Sequence, residues 1–178
     1  MNILVTILLV IVGIIALLLI LGLFVRKGYF IERSVLINKS RQEVFDYVKI
    51  MKNQDLFSKW VMKDPNMKKD FRGTDGTEGF VYAWNSVNNQ AGEGEMEIKK
   101  ITGQERIDME IRFVRPMKGV SDAAFVLESN GNQTNTKWSF KSEMKYPLNV
   151  MMLFMNFENM LGKDMDESLA MLKNNLEK

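Results

Sequence analysis

Residues 93–114 read EGEMEIKKITGQERIDMEIRFV, and the alternation in this stretch decides the fold. Glu93, Glu95 and Glu97 alternate with Gly94, Met96 and Ile98. After Thr102-Gly103 the pattern returns as Ile107, Met109, Ile111 and Phe113 set against Asp108, Glu110 and Arg112. Side chains along a strand point to opposite faces in turn, so a period of two predicts two antiparallel strands with one apolar and one wet face. The three glutamates therefore read as a solvated strand face, not as a catalytic cluster.

The same period continues outward on both sides. Strands are predicted over 69–73 and 80–84, divided by Thr74-Asp75-Gly76, and Asn88-Asn89 then turns the chain into 93–101. Beyond 107–114, strands over 123–128 and 134–144 are divided by Asn130-Gly131, the strongest hairpin signal in the chain. Phe80, Tyr82 and Trp84 share one face, and so do Thr134, Thr136, Trp138, Phe140 and Ser142. These mixed aromatic and hydroxyl faces are the ones expected to line a cavity.

Helices flank the strand region. Residues 29–37 are rich in aromatic and β-branched side chains and predict a first strand, followed by an Asn38-Lys39-Ser40 turn. Ser40 with Glu43 forms a capping box for a helix over 41–49, with Val44, Phe45 and Val48 on one face. A second short helical or turn segment over 53–59 ends at Trp60. Pro147 opens a long C-terminal helix over 148–177, in which Val150, Leu153 or Phe154, Phe157, Leu161, Met165, Leu169, Leu172 and Leu176 make an apolar stripe that packs on the sheet. Gly162 in its middle marks a bend or a close approach. This order describes an α+β helix-grip fold, an antiparallel sheet wrapped around the last helix.

Residues 3–25 are an uncharged apolar run of roughly 23 residues, which at about 1.5 Å per residue reaches the ~30 Å of a hydrocarbon core. A basic leader, a short apolar segment and a small-residue cleavage site are all missing, which favours a retained transmembrane anchor over a signal peptide. Arg26 and Lys27 flank the run, with Arg33 beyond, and direct the soluble part toward the cytoplasm. The expected organisation is an anchor with its basic flank over 1–27 and a single domain over 28–178, held close to the bilayer by the short link around Gly28.

Composition narrows the chemistry. Lys and Arg number 24 against 22 Asp and Glu, interleaved along the chain, so no basic stripe marks a nucleic-acid partner. Lys68-Lys69 and Lys99-Lys100 read as solvated turn or sheet residues. With no His and no Cys, the chain lacks the ligands of zinc, haem-thiolate and Rieske-type sites and the parts of Ser-His and Cys-His nucleophiles. No metal and no cofactor is expected. Gly92-Glu93-Gly94 leads into a strand and not a helix, so it is no phosphate-binding fingerprint. An enzyme would depend on Asp, Glu, Tyr or Lys in an apolar pocket, and Tyr82, Asp122 and Glu128 are the only candidates.

Several stretches carry a family resemblance. Ile31-Glu32-Arg33-Ser34-Val35-Leu36-Ile37, followed by Val44-Phe45-Asp46-Tyr47, resembles the opening of the SRPBCC superfamily of START-like proteins, and residues 60–65 resemble its tryptophan-and-proline segment. Gly79-Phe80-Val81-Tyr82-Ala83-Trp84 with Gly92-Glu93-Gly94, and Leu161-Gly162-Lys163-Asp164 with Leu169-Ala170-Met171-Leu172-Lys173, resemble its polyketide cyclase/dehydrase-type branch. The resemblance spans 29–178 and implies the helix-grip fold with an interior cavity. It implies no single activity, because the superfamily includes lipid carriers, cyclases, hydroxylase subunits and chaperone activators.

Fourteen Met residues are many for this length, and Met144, Met151, Met152, Met155, Met160 and Met165 gather around the final helix with Phe154 and Phe157. Methionine adapts to irregular shapes and suits a soft apolar pocket. Met151, Met152 and Met155 also lie off the main stripe, on faces available to the bilayer. The expected lining is Phe80, Tyr82, Trp84, Phe113, Trp138, Phe140, Met144, Phe154, Phe157 and Leu161. The expected function is membrane-anchored binding of a lipid or isoprenoid-like molecule, with the bilayer and that molecule as partners and no protein partner assigned. Two alternatives stand beside it. A cyclase or dehydratase would place a buried ionisable group against the cavity, and a protein-docking scaffold would collapse the cavity and expose an apolar patch.

Overall fold

In the computed structural model, which describes residues 2–178, the apolar run forms helix α1 (Ile3–Phe24) and leads directly into strand β1 (Gly28–Ile37). Helix α2 (Arg41–Val48), a 3₁₀ turn over Met51–Leu56 and the short α3 (Lys59–Met62) follow. Strands β2 (Lys68–Arg72), β3 (Val81–Asn85), β4 (Glu93–Thr102), β5 (Arg106–Arg115), β6 (Gly119–Asn130) and β7 (Gln133–Glu143) come next. A second 3₁₀ turn over Leu148–Leu153 and helix α4 (Phe157–Leu176) close the chain. One antiparallel sheet in the order β1-β7-β6-β5-β4-β3-β2 returns the first strand beside the last and grips α4 through buried Met165, Leu169 and Leu172.

Strand β6 begins four residues earlier than expected. Its polar start, Ser121-Asp122, hides it in the sequence, but β5 and β7 pair with it on both sides from this end onward. The hairpin after it is also shifted. Asn130 pairs with Gln133, so the turn residues are Gly131-Asn132, and Gly131 at φ +62° takes the first central position as a type II′ turn requires. The Ser40–Glu43 capping box forms as expected.

The C-terminal helix differs most. The spacing predicted one helix over 148–177, whereas the chain makes a 3₁₀ turn, breaks at residues 154–156, and restarts where the Asn156 side chain accepts from Asn159 N at 3.0 Å. A capping Asn satisfies a helix end that a continuing helix would not need. Gly162 marks a close approach, since the Arg33 guanidinium occupies the space a Cβ would take. Arg33 Nε donates to Asp166 Oδ2 at 3.1 Å.

The expected wet face is present. Arg112 Nε donates to Glu95 Oε1 at 2.8 Å and Nη1 to Glu97 Oε2 at 2.7 Å, with Glu110 also on Nη1. Lys69 is not simply solvated as expected, because it pairs with Asp55 at 2.7 Å. Hydrogen bonds from Arg112 hold the Glu95 and Glu97 carboxyls below their usual value of 4.5. A carboxyl lowered on folding contributes stability above its unfolded value and loses it as pH falls through the folded one. The melting temperature is therefore expected to hold from neutrality to about pH 5 and to fall below it. Arg112→Gln should lower it at pH 7 and flatten the acid limb, which calorimetry across pH 3–7 reads directly.

Helix α1 has a mean hydropathy of 3.5 and none of its most apolar window is covered by the rest of the chain. Its length and composition are those of a segment that can cross a hydrocarbon core. Only its C-terminal end is held. The fully buried Asn149 donates from Nδ2 to Gly22 O at 2.7 Å and to Val25 O at 3.1 Å, two carbonyls that helix termination leaves without partners. Gly22 admits this contact, because a Cβ there would stand 2.6 Å from Val150 Cγ2.

Candidate ligand-binding cavity

A space of about 1310 Å³ runs from between the inner face of β3–β7 and the helical segments that cover it out past the strand ends, where Val120, Asp122 and Lys141 border it. The inner residues of β3, Tyr82 and Trp84, form one wall, Ile111 and Phe113 of β5 continue it, and Leu161 and Phe157 of α4 face them. Alternation brings these strand residues together, and the three- and four-residue spacing of α4 brings Phe157 and Leu161 to the same side. Trp84 and Phe113 meet edge to face at 6.1 Å, and Phe157 stacks on Tyr29 at 5.6 Å.

Of the ten residues expected to line a cavity, Tyr82, Trp84, Phe113, Phe140, Met144, Phe157 and Leu161 do so. Three stand elsewhere. Phe80 is buried beyond the cavity and stacks on Phe71 at 6.3 Å. Trp138 lies one layer deeper, between Phe125 at 5.0 Å and Trp60 at 5.3 Å, and it is Trp60 that reaches the space. Phe154 is 72% exposed, because the break before α4 turns it outward.

Trp60, Tyr29, Gln54 and Ser58 also line the cavity and were not among the expected residues. Tyr29 shares its face of β1 with Ile31, a pattern visible in the sequence. Gln54 and Ser58 come from irregular turns, where no periodicity announces which way a side chain faces. Gln54 is 5% exposed and its Nε2 meets only the sulfurs of Met51 and Met96, at 3.6 and 3.7 Å, so the wall carries a weakly engaged amide.

The three candidate acid–base groups are placed as follows. The Tyr82 hydroxyl donates to Asp55 Oδ1 at 2.6 Å, and burial first, then the Asp55 carboxylate, pushes its phenol well above the usual range. A phenol so held does not release its proton near neutral pH. Asp122 stands on the outer side of β6 opposite Glu110 and Lys141, between inward Ser121 and Ala123, at the rim where the cavity continues past the strand ends. Glu128 lies outside the cavity, paired with Lys137 and Asn135, whose hydrogen bonds keep its carboxyl low. Among the described residues no group of three Asp or Glu converges as a metal site.

Searched against family models and against curated protein sequences, the chain matches none. Solved structures match its fold. Norcoclaurine synthase from Thalictrum flavum superposes with a TM-score of 0.60 at 14% identity, over 89% of this chain and 92% of its own. The Aha1 dimer from Colwellia psychrerythraea gives 0.57 at 14%, over 84% and 96%. DynU16, from the dynemicin biosynthetic locus, gives 0.58 at 11%, over 84% of this chain and 47% of that longer one. These neighbours are helix-grip proteins of the SRPBCC type, and at such low identity the likeness concerns architecture alone. The chain thus has an α+β helix-grip fold, with one long apolar helix added at its N-terminal side.

Proposed function

We propose that the chain is a membrane-tethered carrier or sensor that binds a hydrophobic small molecule, lipid or isoprenoid-like, without transforming it. Residues 1–27 form the tether and 28–178 the binding domain. The observation that carries this reading is the 1310 Å³ space whose inner walls are mainly aromatic and aliphatic, room enough for a sizeable apolar ligand. The norcoclaurine synthase neighbour is in complex with dopamine and hydroxybenzaldehyde, which supports small-molecule occupancy of this architecture. The non-catalytic reading is preferred because the Tyr82 proton is held by Asp55 while Asp122 and Glu128 stand on the outer face or beyond the cavity. An open cavity also disfavours a docking scaffold.

Retention of α1 is supported by Asn149, whose buried amide would lose both acceptors if the helix were cleaved away. Arg26 and Lys27 favour a cytoplasmic domain. Asn149→Leu leaves two carbonyls without their donor, a loss of about 1–3 kcal/mol that corresponds to local opening roughly fivefold to 100-fold faster. Limited proteolysis within 146–156 of the full chain should accelerate accordingly, and an unchanged rate would show that the contact does not hold the segment.

The binding reading is tested by native mass spectrometry and lipid extraction on the full chain, purified in detergent from the cells that make it. A reproducible bound lipid or isoprenoid is expected. A reproducibly empty chain would overturn the reading.

A further inference from the structure

The strand register fixes which loops share an end of the sheet. Gly28 pairs with Glu143, Ser121 with Ser142, Phe113 with Gly119 and Asn85 with Glu93. The start of β1, the β3–β4 loop, the β5–β6 loop and the segment leaving β7 therefore all lie where α1 arrives. The β6–β7 turn lies at the opposite end, about 33 Å away by the ten-residue length of β1.

Exposed apolar side chains gather at the α1 end. Val87 of the β3–β4 loop is 97% exposed, Met117 stands exposed on the β5–β6 loop, and Leu148, Leu153 and Phe154 stand exposed on the segment before α4. The same loops frame the cavity opening through Ala91, Met117 and Leu148, with Met160 of α4 beside them. Lys27, Lys118 and Lys145 are exposed among them, the charge that anionic headgroups attract. Asn149 fixes this rim to the last turn of α1, so the rim and the point where α1 leaves the hydrocarbon core are at one level.

We propose that this end of the domain seats on the bilayer, with the rim side chains among the headgroups, so that the cavity opens into the leaflet and its ligand is a membrane-dissolved amphiphile exchanged without crossing water. This rests on the reading of α1 as a membrane span. A water-facing rim would leave five large apolar side chains exposed around the cavity opening, whereas a lipid-facing one covers them, leaves the lysines at headgroup level and joins the cavity's apolar inner wall to the hydrocarbon.

The chain has no cysteine, so single introduced thiols label uniquely. Full chains carrying Phe154→Cys, Met117→Cys or Asn132→Cys, each with an environment-sensitive fluorophore, are reconstituted in phosphatidylcholine–phosphatidylglycerol vesicles containing nitroxide-labelled lipid. Interfacial segments bury about 5–10 Å into the headgroup boundary, so the labels at 154 and 117 should be quenched roughly fivefold more strongly than the label at 132 on the β6–β7 turn. Equal, weak quenching at all three in a chain that stays with the vesicles through an alkaline wash would overturn the seating while leaving the tether intact. Loss of the chain in that wash would overturn the tether, and the seating with it.

Discussion

The Leu161→Asp chain, purified from the same cells as the native one, is expected to carry at least roughly 100-fold less bound hydrophobic ligand while remaining folded. Leu161 faces the cavity from the first turns of α4 and is only partly buried. A carboxylate there stays hydrated as long as the cavity holds water, so folding bears little of its cost. An apolar ligand must strip that hydration, and an unpaired charge removed from water costs several kcal/mol even after relaxation. At about 1.4 kcal/mol per decade, a loss of two decades is a lower bound. Leu161→Met keeps the volume and polarity of the wall and should retain ligand normally. Native mass spectrometry of the three chains reads the result. Stoichiometric ligand in a folded Leu161→Asp chain would place the binding site somewhere other than this cavity.

That test depends on knowing which way Leu161 faces, and the sequence already indicated it. The alternation of 93–114 and the three- and four-residue spacing from Phe157 onward are consequences of burying one face, and burial is what a sequence records most plainly. The same record misleads at residues 148–156. A 3₁₀ turn and an α-helix both bring residues three apart to one side, so Val150, Leu153 and Phe157 read as one continuous stripe. The polar Asn149 beside that stripe was the available sign that the turn is built around a partner, the end of α1. Gln54 and Ser58 reach the cavity from turns without any period, and Trp60 from the one-turn α3, too short to show one, so only tertiary packing decides their direction. Trp138 and Phe154 show the opposite error. Apolar spacing identifies a side chain that wants cover, but it does not say whether the cover is Trp60, a ligand or something outside the domain.

Replacing Gly92 by Ala is expected to lower the melting temperature by about 10 °C, at roughly 2–4 °C per kcal/mol for a chain of this size. Gly92 sits at φ +64° just before β4, where its N–H donates to Asn88 O at 2.8 Å and its carbonyl accepts from Ser86 N at 2.9 Å. A side chain in this region of backbone space costs about 1–2 kcal/mol by itself. Here a Cβ would also be driven into the Arg115 carbonyl oxygen, and would stand 3.0 Å from its carbon and 3.2 Å from Pro116 Cδ. Overpacking against such backbone adds about 1–3 kcal/mol. Gly103 supplies the internal comparison, since it has φ +53° but nothing within 4 Å of a Cβ. Gly103→Ala should therefore cost only the conformational part, and the difference between the two variants isolates the clash. If both melt together, the close approach of the β3–β4 loop to Arg115 is not a constraint on the fold. If they separate as expected, the loop that positions Ala91, the acceptor of the Trp84 indole N–H at 3.0 Å, is set against the β5–β6 loop by a contact only glycine permits. Two strands of the cavity wall are then held in register at the rim by the absence of a single carbon atom.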